Sequence, residues 1–155
     1  LASPPEQMVD ETEVTRLHRT LRAEFGPAMA AEAARHAGLR TADYLLANGI
    51  PKPVQALLKV LPAPLAARVL LSAIRRHAWT FAGSGTFTAV AGQPVVLTIR
   101  NNPLCKGLSA DAPACDFYAA VFERLFRVLV HPRATVAETA CEACGDAECR
   151  FELRW

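Results

Sequence analysis

The sequence predicts an α+β fold in which N-terminal helices pack on an antiparallel sheet of two hairpins, with one helix between the hairpins. Three observations carry this expectation. Apolar residues recur at helical spacing as far as His77, they switch to alternation in two later stretches, and a cysteine cluster closes the second of these. At 155 residues, with 52% hydrophobic and 21% charged residues, the chain has the material for one sizeable core. We expect residues 6–155 to form one domain behind a flexible end at residues 1–5, where Ser3-Pro4-Pro5 favours no regular element.

Each element follows from local chemistry. Val9, Val14, Leu17, Leu21 and Phe25 place a helix over Glu6 to Phe25, stopped by Gly26. Pro27 suits the first turn of a second, Ala-rich helix that ends at Asn48-Gly49, with a break expected near Gly38 and a restart at Thr41. Ile50-Pro51-Lys52-Pro53 is a rigid connector to two short helices, Pro53 to Leu61 and Pro64 to His77. The second carries Leu65, Val69, Leu70, Leu71 and Ile74 on more than one face, which predicts burial on two sides or a cavity wall.

From Trp79 the alternation predicts a hairpin: one strand through Phe81, Gly83, Gly85 and Phe87 to Val90, a turn at Ala91-Gly92-Gln93, then Val95 to Arg100. Asn101-Asn102-Pro103 opens a loop. A helix is expected from Asp111 or Ala112 with Pro113, presenting Cys115 in its first turn and running to His131-Pro132. Arg133 to Cys141 and Glu148 to Trp155 alternate again and form the second hairpin.

The formal charge of +2 comes from scattered arginines with no block of about five like charges, so nucleic acid is not an expected partner. The apolar stretch from Val54 to Ile74 is broken by Lys59, Pro62, Pro64 and Arg68 and is not a membrane span. The odd set of five cysteines, without a signal-type start, points to a reducing compartment in which thiols bind metal; a cytoplasmic location is expected.

Four of those cysteines fall in the last forty-odd residues: Cys115, then Glu138-x2-Cys141-x2-Cys144-Gly145-Asp146-x2-Cys149-x-Phe151. The spacing allows an all-thiolate metal site of Cys115, Cys141, Cys144 and Cys149, an iron–sulfur cluster on the same residues, or buried thiols without a metal. That run, set between two terminal strands with a cysteine at the start of the preceding helix, resembles the 4-vinyl reductase domain family. The Ala-rich helical half and the tetrapyrrole-sized apolar content resemble the branch of that family found in bacteriochlorophyll biosynthesis.

The resemblance implies a fold shared with ligand-binding domains of nitric-oxide signalling and Golgi-transport proteins, enclosing an apolar pocket. In sensory relatives that recognise aromatic effectors, zinc is held by a helix cysteine, a strand glutamate and two further cysteines. Carried over, these positions are Cys115, Glu138, Cys141 and Cys149, with Cys144 as the alternative ligand. Such a shell leaves Zn2+ no open position, so the implied role is structural. The resemblance further implies a chlorophyll-precursor tetrapyrrole as ligand, other bacteriochlorophyll-biosynthesis enzymes as partners, pairing as a homodimer, and a place at the periphery of the photosynthetic membrane.

For the tetrapyrrole, His77 is the first candidate axial ligand and His36 the second. Trp79, Phe81 and Tyr118, with Phe87, Phe117 and Phe122, can wall a pocket or simply fill the core. Gly83 and Gly85 on one strand would let a flat ligand or a helix approach the backbone. No G-x-G-x-x-G, P-loop or flavin signature marks a reductant site. The expectation is therefore a binding protein that presents a pigment precursor; the alternatives are a vinyl reductase fed by an external donor, and a small-aromatic-sensing or scaffold domain.

Overall fold

Asp10 starts the first helix by accepting a hydrogen bond from the Thr12 amide at 2.7 Å, which satisfies one of the free donors at the helix end. The computed structural model describes residues 9–155; the expected flexible end at residues 1–5 and the expected helix start at Glu6 lie outside them. Helix α1 spans Glu11–Tyr44 and is two helices joined at a kink, because Gly26 takes φ 78° and ψ 166° ahead of Pro27. Proline bars a continuous helix there, since it lacks the N–H and pushes its predecessor out of the helical region. A π-helical turn, Leu45–Gly49, ends the segment.

The expected break at Gly38 does not occur. Ala30, Ala34, Gly38 and Ala42 recur every four residues as the buried stripe of α1, and Gly38 is the point of closest approach to the later helix α5, Asp116–Leu129. A Cβ at Gly38 would overlap the Phe117 carbonyl oxygen and stand 2.9 Å from the Ala120 Cβ. Gly38→Val is accordingly expected to cost about 1–3 kcal/mol by forcing the helices apart. The check is a lower urea midpoint at unchanged slope.

Helices α2 (Lys52–Val60) and α3 (Ala63–Arg76) each begin next to proline, where the missing N–H costs nothing. Helix α3 buries one face, formed by Ala66, Ala67, Leu70 and Leu71, while Leu65 and Val69 are exposed. This corrects the expectation of burial on two sides.

The expected strand from Trp79 is also corrected. Trp79–Ala82 is a short helix, α4, with the Ala82 amide bonded to the Ala78 carbonyl at 2.8 Å. Alternation over so few residues fits a helical turn as well as a strand. Gly83, at φ 55°, turns the chain, and strand β1 begins only at Thr86. Neither glycine leaves room for a ligand: a Cβ at Gly83 would strike the Glu11 carboxylate, and one at Gly85 would lie 2.8 Å from three backbone oxygens.

Strands β1 (Thr86–Val90), β2 (Val95–Arg100), β3 (Thr135–Ala140) and β4 (Cys149–Arg154) form one antiparallel sheet in the order β1-β2-β4-β3. The two hairpins therefore join through β2 and β4, with Val95, Leu97 and Ile99 opposite Leu153, Phe151 and Cys149. All six are fully buried, and this row meets Tyr118, Phe122, Leu125, Phe126 and Leu129 of α5 to make the core. Helix α5 starts at Asp116, with Cys115 as its cap, later than the expected start at Asp111 or Pro113. Contacts from the far hairpin hold this stretch open, the Ala110 amide bonding to the Ala143 carbonyl at 2.8 Å and the Cys115 amide to Glu138 at 2.9 Å.

Candidate metal centre

Four elements deliver one sulfur each to a single point beneath the sheet. Cys105 ends a 3-10 turn, Pro103–Cys105, that follows β2; Cys115 caps α5; Cys141 follows β3; Cys149 is the first residue of β4. All four are buried and none is in a disulfide. Their sulfurs lie within 4.8 Å of one another, with Cys105 at 3.4 Å from Cys115, 3.5 Å from Cys149 and 3.8 Å from Cys141. Four sulfurs around Zn2+ at a Zn–S distance of about 2.3 Å stand ~3.8 Å apart, so the cluster already has the dimensions of a tetrahedral shell.

The surroundings suit thiolates. Asn102, fully buried, donates from Nδ2 to the sulfurs of Cys115 and Cys149 at 3.2 Å each, and its Oδ1 accepts from the Leu104 amide at 3.0 Å. The Glu142 amide points at Cys149 from 3.4 Å. Hydrogen bonds from Cys105, then from Cys115 and Cys149, hold the Cys141 thiol below its ordinary value, whereas bonding to Cys105 and burial push Cys115 up. Protons thus leave the cluster unevenly, and a cation that replaced all of them would remove the conflict.

The loops are fixed from outside. The Glu142 carboxylate accepts from the Asn101 and Asn102 amides at 2.6 and 2.8 Å. Lys106, beside Cys105, reaches Glu11 at 2.7 Å and so ties the turn to the start of α1. That hydrogen bond, with those from Ser84, holds the Glu11 carboxyl down at about 2.

Of the sequence-derived ligands, the structure brings Cys115, Cys141 and Cys149 together, and adds Cys105, which spacing did not single out. Glu138 abuts the cluster: one oxygen accepts from the Cys115 amide, while the other is buried without a partner. Burial above all, with the sulfur of Cys141 nearby, pushes its carboxyl up to about 9. A β-bulge between Glu138 and Ala140 aims it there. Cys144 is exposed on the turn before Gly145 and lies outside the cluster.

The tetrapyrrole candidates do not share one cavity. Phe81 and Tyr118 pack edge-on against each other and against Phe122, and the Tyr118 hydroxyl donates to the Phe81 carbonyl at 2.8 Å. These rings fill the core. His36 lies exposed on α1, and His77 and Trp79 lie exposed at the end of α3, with Trp79 63% exposed. Two surface clefts of about 210 and 250 Å3, between α1 and α5 and beside the β1–β2 turn, are lined by none of these residues.

Fold and cysteine centre together define a protein of the 4-vinyl reductase domain class: residues 95–155, which carry all four buried cysteines, match the model of that domain. The chain is 53% identical over 150 residues to the Bacteriochlorophyll synthase 23 kDa chain of Cereibacter sphaeroides, covering 97% of this chain and 72% of that protein. It belongs to that protein's family. Among solved structures it is similar to a trafficking protein particle complex subunit 3 from Naegleria fowleri covalently bound to palmitic acid (TM-score 0.64, 11% identity, 93% of each chain). It is also similar to the phenol-responsive sensory domain of the transcription activator PoxR with phenol (TM-score 0.60, 14% identity, 97% of this chain and 77% of that one). At these identities the likeness is one of fold.

Proposed function

We propose that this chain, as a single ligand-binding domain, takes up a chlorophyll-precursor tetrapyrrole of the Mg-porphyrin or protochlorophyllide type and presents it to enzymes of bacteriochlorophyll biosynthesis. Membership of the 23 kDa chain family, over nearly the whole length, carries the reading. The cysteine centre serves as its clasp, with structural Zn2+ on Cys105, Cys115, Cys141 and Cys149, because four thiolates leave the metal no open position. Zinc there would lock the loop after β2, the start of α5 and the last hairpin into one unit.

Local geometry supports a pigment contact at the end of α3. The His77 Nδ1 pairs with the Ala73 carbonyl at 2.9 Å, which leaves Nε2 as the free lone pair on an exposed ring. A magnesium centre accepts such a nitrogen as its axial ligand, and Trp79 offers a flat apolar surface beside it. Titrating purified, metal-replete protein with Mg-protoporphyrin is expected to give a saturable shift of the pigment's absorption band. His77→Ala should weaken binding about tenfold, or ~1.4 kcal/mol. An unchanged spectrum at saturating pigment would overturn the proposal, and conversion of a divinyl substrate in the presence of a reductant would replace it with a reductase.

A further inference from the structure

Between Asp43 and Asp111 the sequence contains no aspartate or glutamate, yet it carries Lys52, Lys59, Arg68, Arg75 and Arg76 on α2 and α3. All five are exposed, and none makes an ion pair among the described residues. On the same two helices the outward faces are apolar. Val54, Leu57 and Val60 recur every three residues on α2, away from buried Gln55 and Leu58. Leu65 and Val69 stand one turn apart on α3, opposite its buried face, and Trp79 follows. Val60 is 79% exposed and Leu57 53%, more than a folded surface leaves to solvent without reason when the residues adjoin one another.

We infer that the α2–α3 hairpin is a docking face for a membrane surface rich in anionic lipid. Apolar side chains flanked by lysine and arginine, with a tryptophan at the margin and no acid to repel phosphate, are what a helix lying in the headgroup layer requires. The long basic stems can reach outward while their methylenes extend the apolar patch. None of the described helices is long and apolar enough to cross a membrane, so the hairpin lies on the surface. A second copy of the chain fits less well, because a twofold interface would set these unpaired cations against their own equivalents. Nucleic acid fits less well too, since the centre of the face is aliphatic.

The test is sedimentation of the purified protein, without pigment, on phosphatidylglycerol–phosphatidylcholine vesicles and on phosphatidylcholine vesicles. Binding is expected only to the anionic vesicles, with a blue shift of Trp79 emission read in a Trp155→Phe background and loss of binding at high salt. Each basic residue near such a surface contributes roughly fivefold in partitioning, so Lys59→Glu/Arg68→Glu/Arg76→Glu should lose at least about a hundredfold. Leu57→Ser/Val60→Ser should also release the protein with an unchanged circular dichroism spectrum, these positions being exposed. Equal binding to neutral vesicles, no binding to either, retention of the charge-reversed variant, preference for nucleic acid, or a dimer that Leu57→Ser/Val60→Ser dissociates would each overturn the inference. Because no pigment is present, the outcome is separate from that of the tetrapyrrole titration.

Discussion

Cys105→Ser is expected to release the metal and to lower the melting temperature by roughly 10 °C. Structural zinc contributes ~10–16 kcal/mol of apparent binding free energy in small zinc-dependent folds. If only about 4 kcal/mol of that is felt here, a chain of this length loses about 2–4 °C for each kcal/mol. Cys105 holds together more than its own turn, since its sulfur contacts those of Cys115, Cys141 and Cys149 within 3.8 Å and these anchor α5, β3 and β4. Elemental analysis of the purified variants, with melting curves before and after chelation, reads the effect. Cys115→Ser, Cys141→Ser and Cys149→Ser should behave like Cys105→Ser, whereas exposed Cys144→Ser should keep its metal. Glu138→Gln separates the two ligand sets. Retention of zinc in that variant supports four thiolates, and loss of zinc there with retention in Cys105→Ser would restore the carboxylate set.

The architecture was legible where one local signal had no competitor. Gly26-Pro27 permits no continuous helix, and the structure kinks there. Val95 to Arg100 alternates against a plain turn, and forms β2 as expected. Trp79 to Ala82 misled because its four residues satisfy both periods, and the continuation of backbone bonding after α3 decided for helix. The start of α5 misled because Asp111 and Pro113 are sound helix signals locally, but contacts with Glu138 and Ala143, remote in sequence, outweigh them.

The site shows the same division. Cys141 and Cys149 bracket a tight turn, so their meeting is a short-range matter that spacing reveals. Cys144 fits the same spacing, but the left-handed turn at Gly145 leaves it facing solvent. Cys105 was invisible to spacing because it sits in a loop before α5 and reaches the cluster only when β2 pairs with β4. The local signal that could have found it is Asn102-Pro103, whose capped turn places a cysteine three residues on at a fixed angle to the strand. Buried Asn102 then proves to belong to the centre rather than to the turn alone.

Asn102→Asp should show this directly. The substitution keeps the shape and the Oδ1 acceptor for the Leu104 amide, but it exchanges the Nδ2 donor for an oxygen facing two sulfurs now 3.2 Å away. A carboxylate in that fully buried place meets thiolates and has no cation beside it except a bound metal. An uncompensated buried charge costs about 3–5 kcal/mol, and loss of outer partners lowers metal affinity by roughly 10–100-fold. Asn102→Ala removes the same donors without adding charge, and is expected to cost only about 1–3 kcal/mol. Competition for zinc against a coloured chelator, with urea midpoints for each variant, measures both effects. If Asn102 served only to cap its turn, the aspartate variant would be the milder of the two, since aspartate caps as well as asparagine; a larger loss for aspartate than for alanine assigns the Nδ2 donors to the stabilisation of sulfur charge.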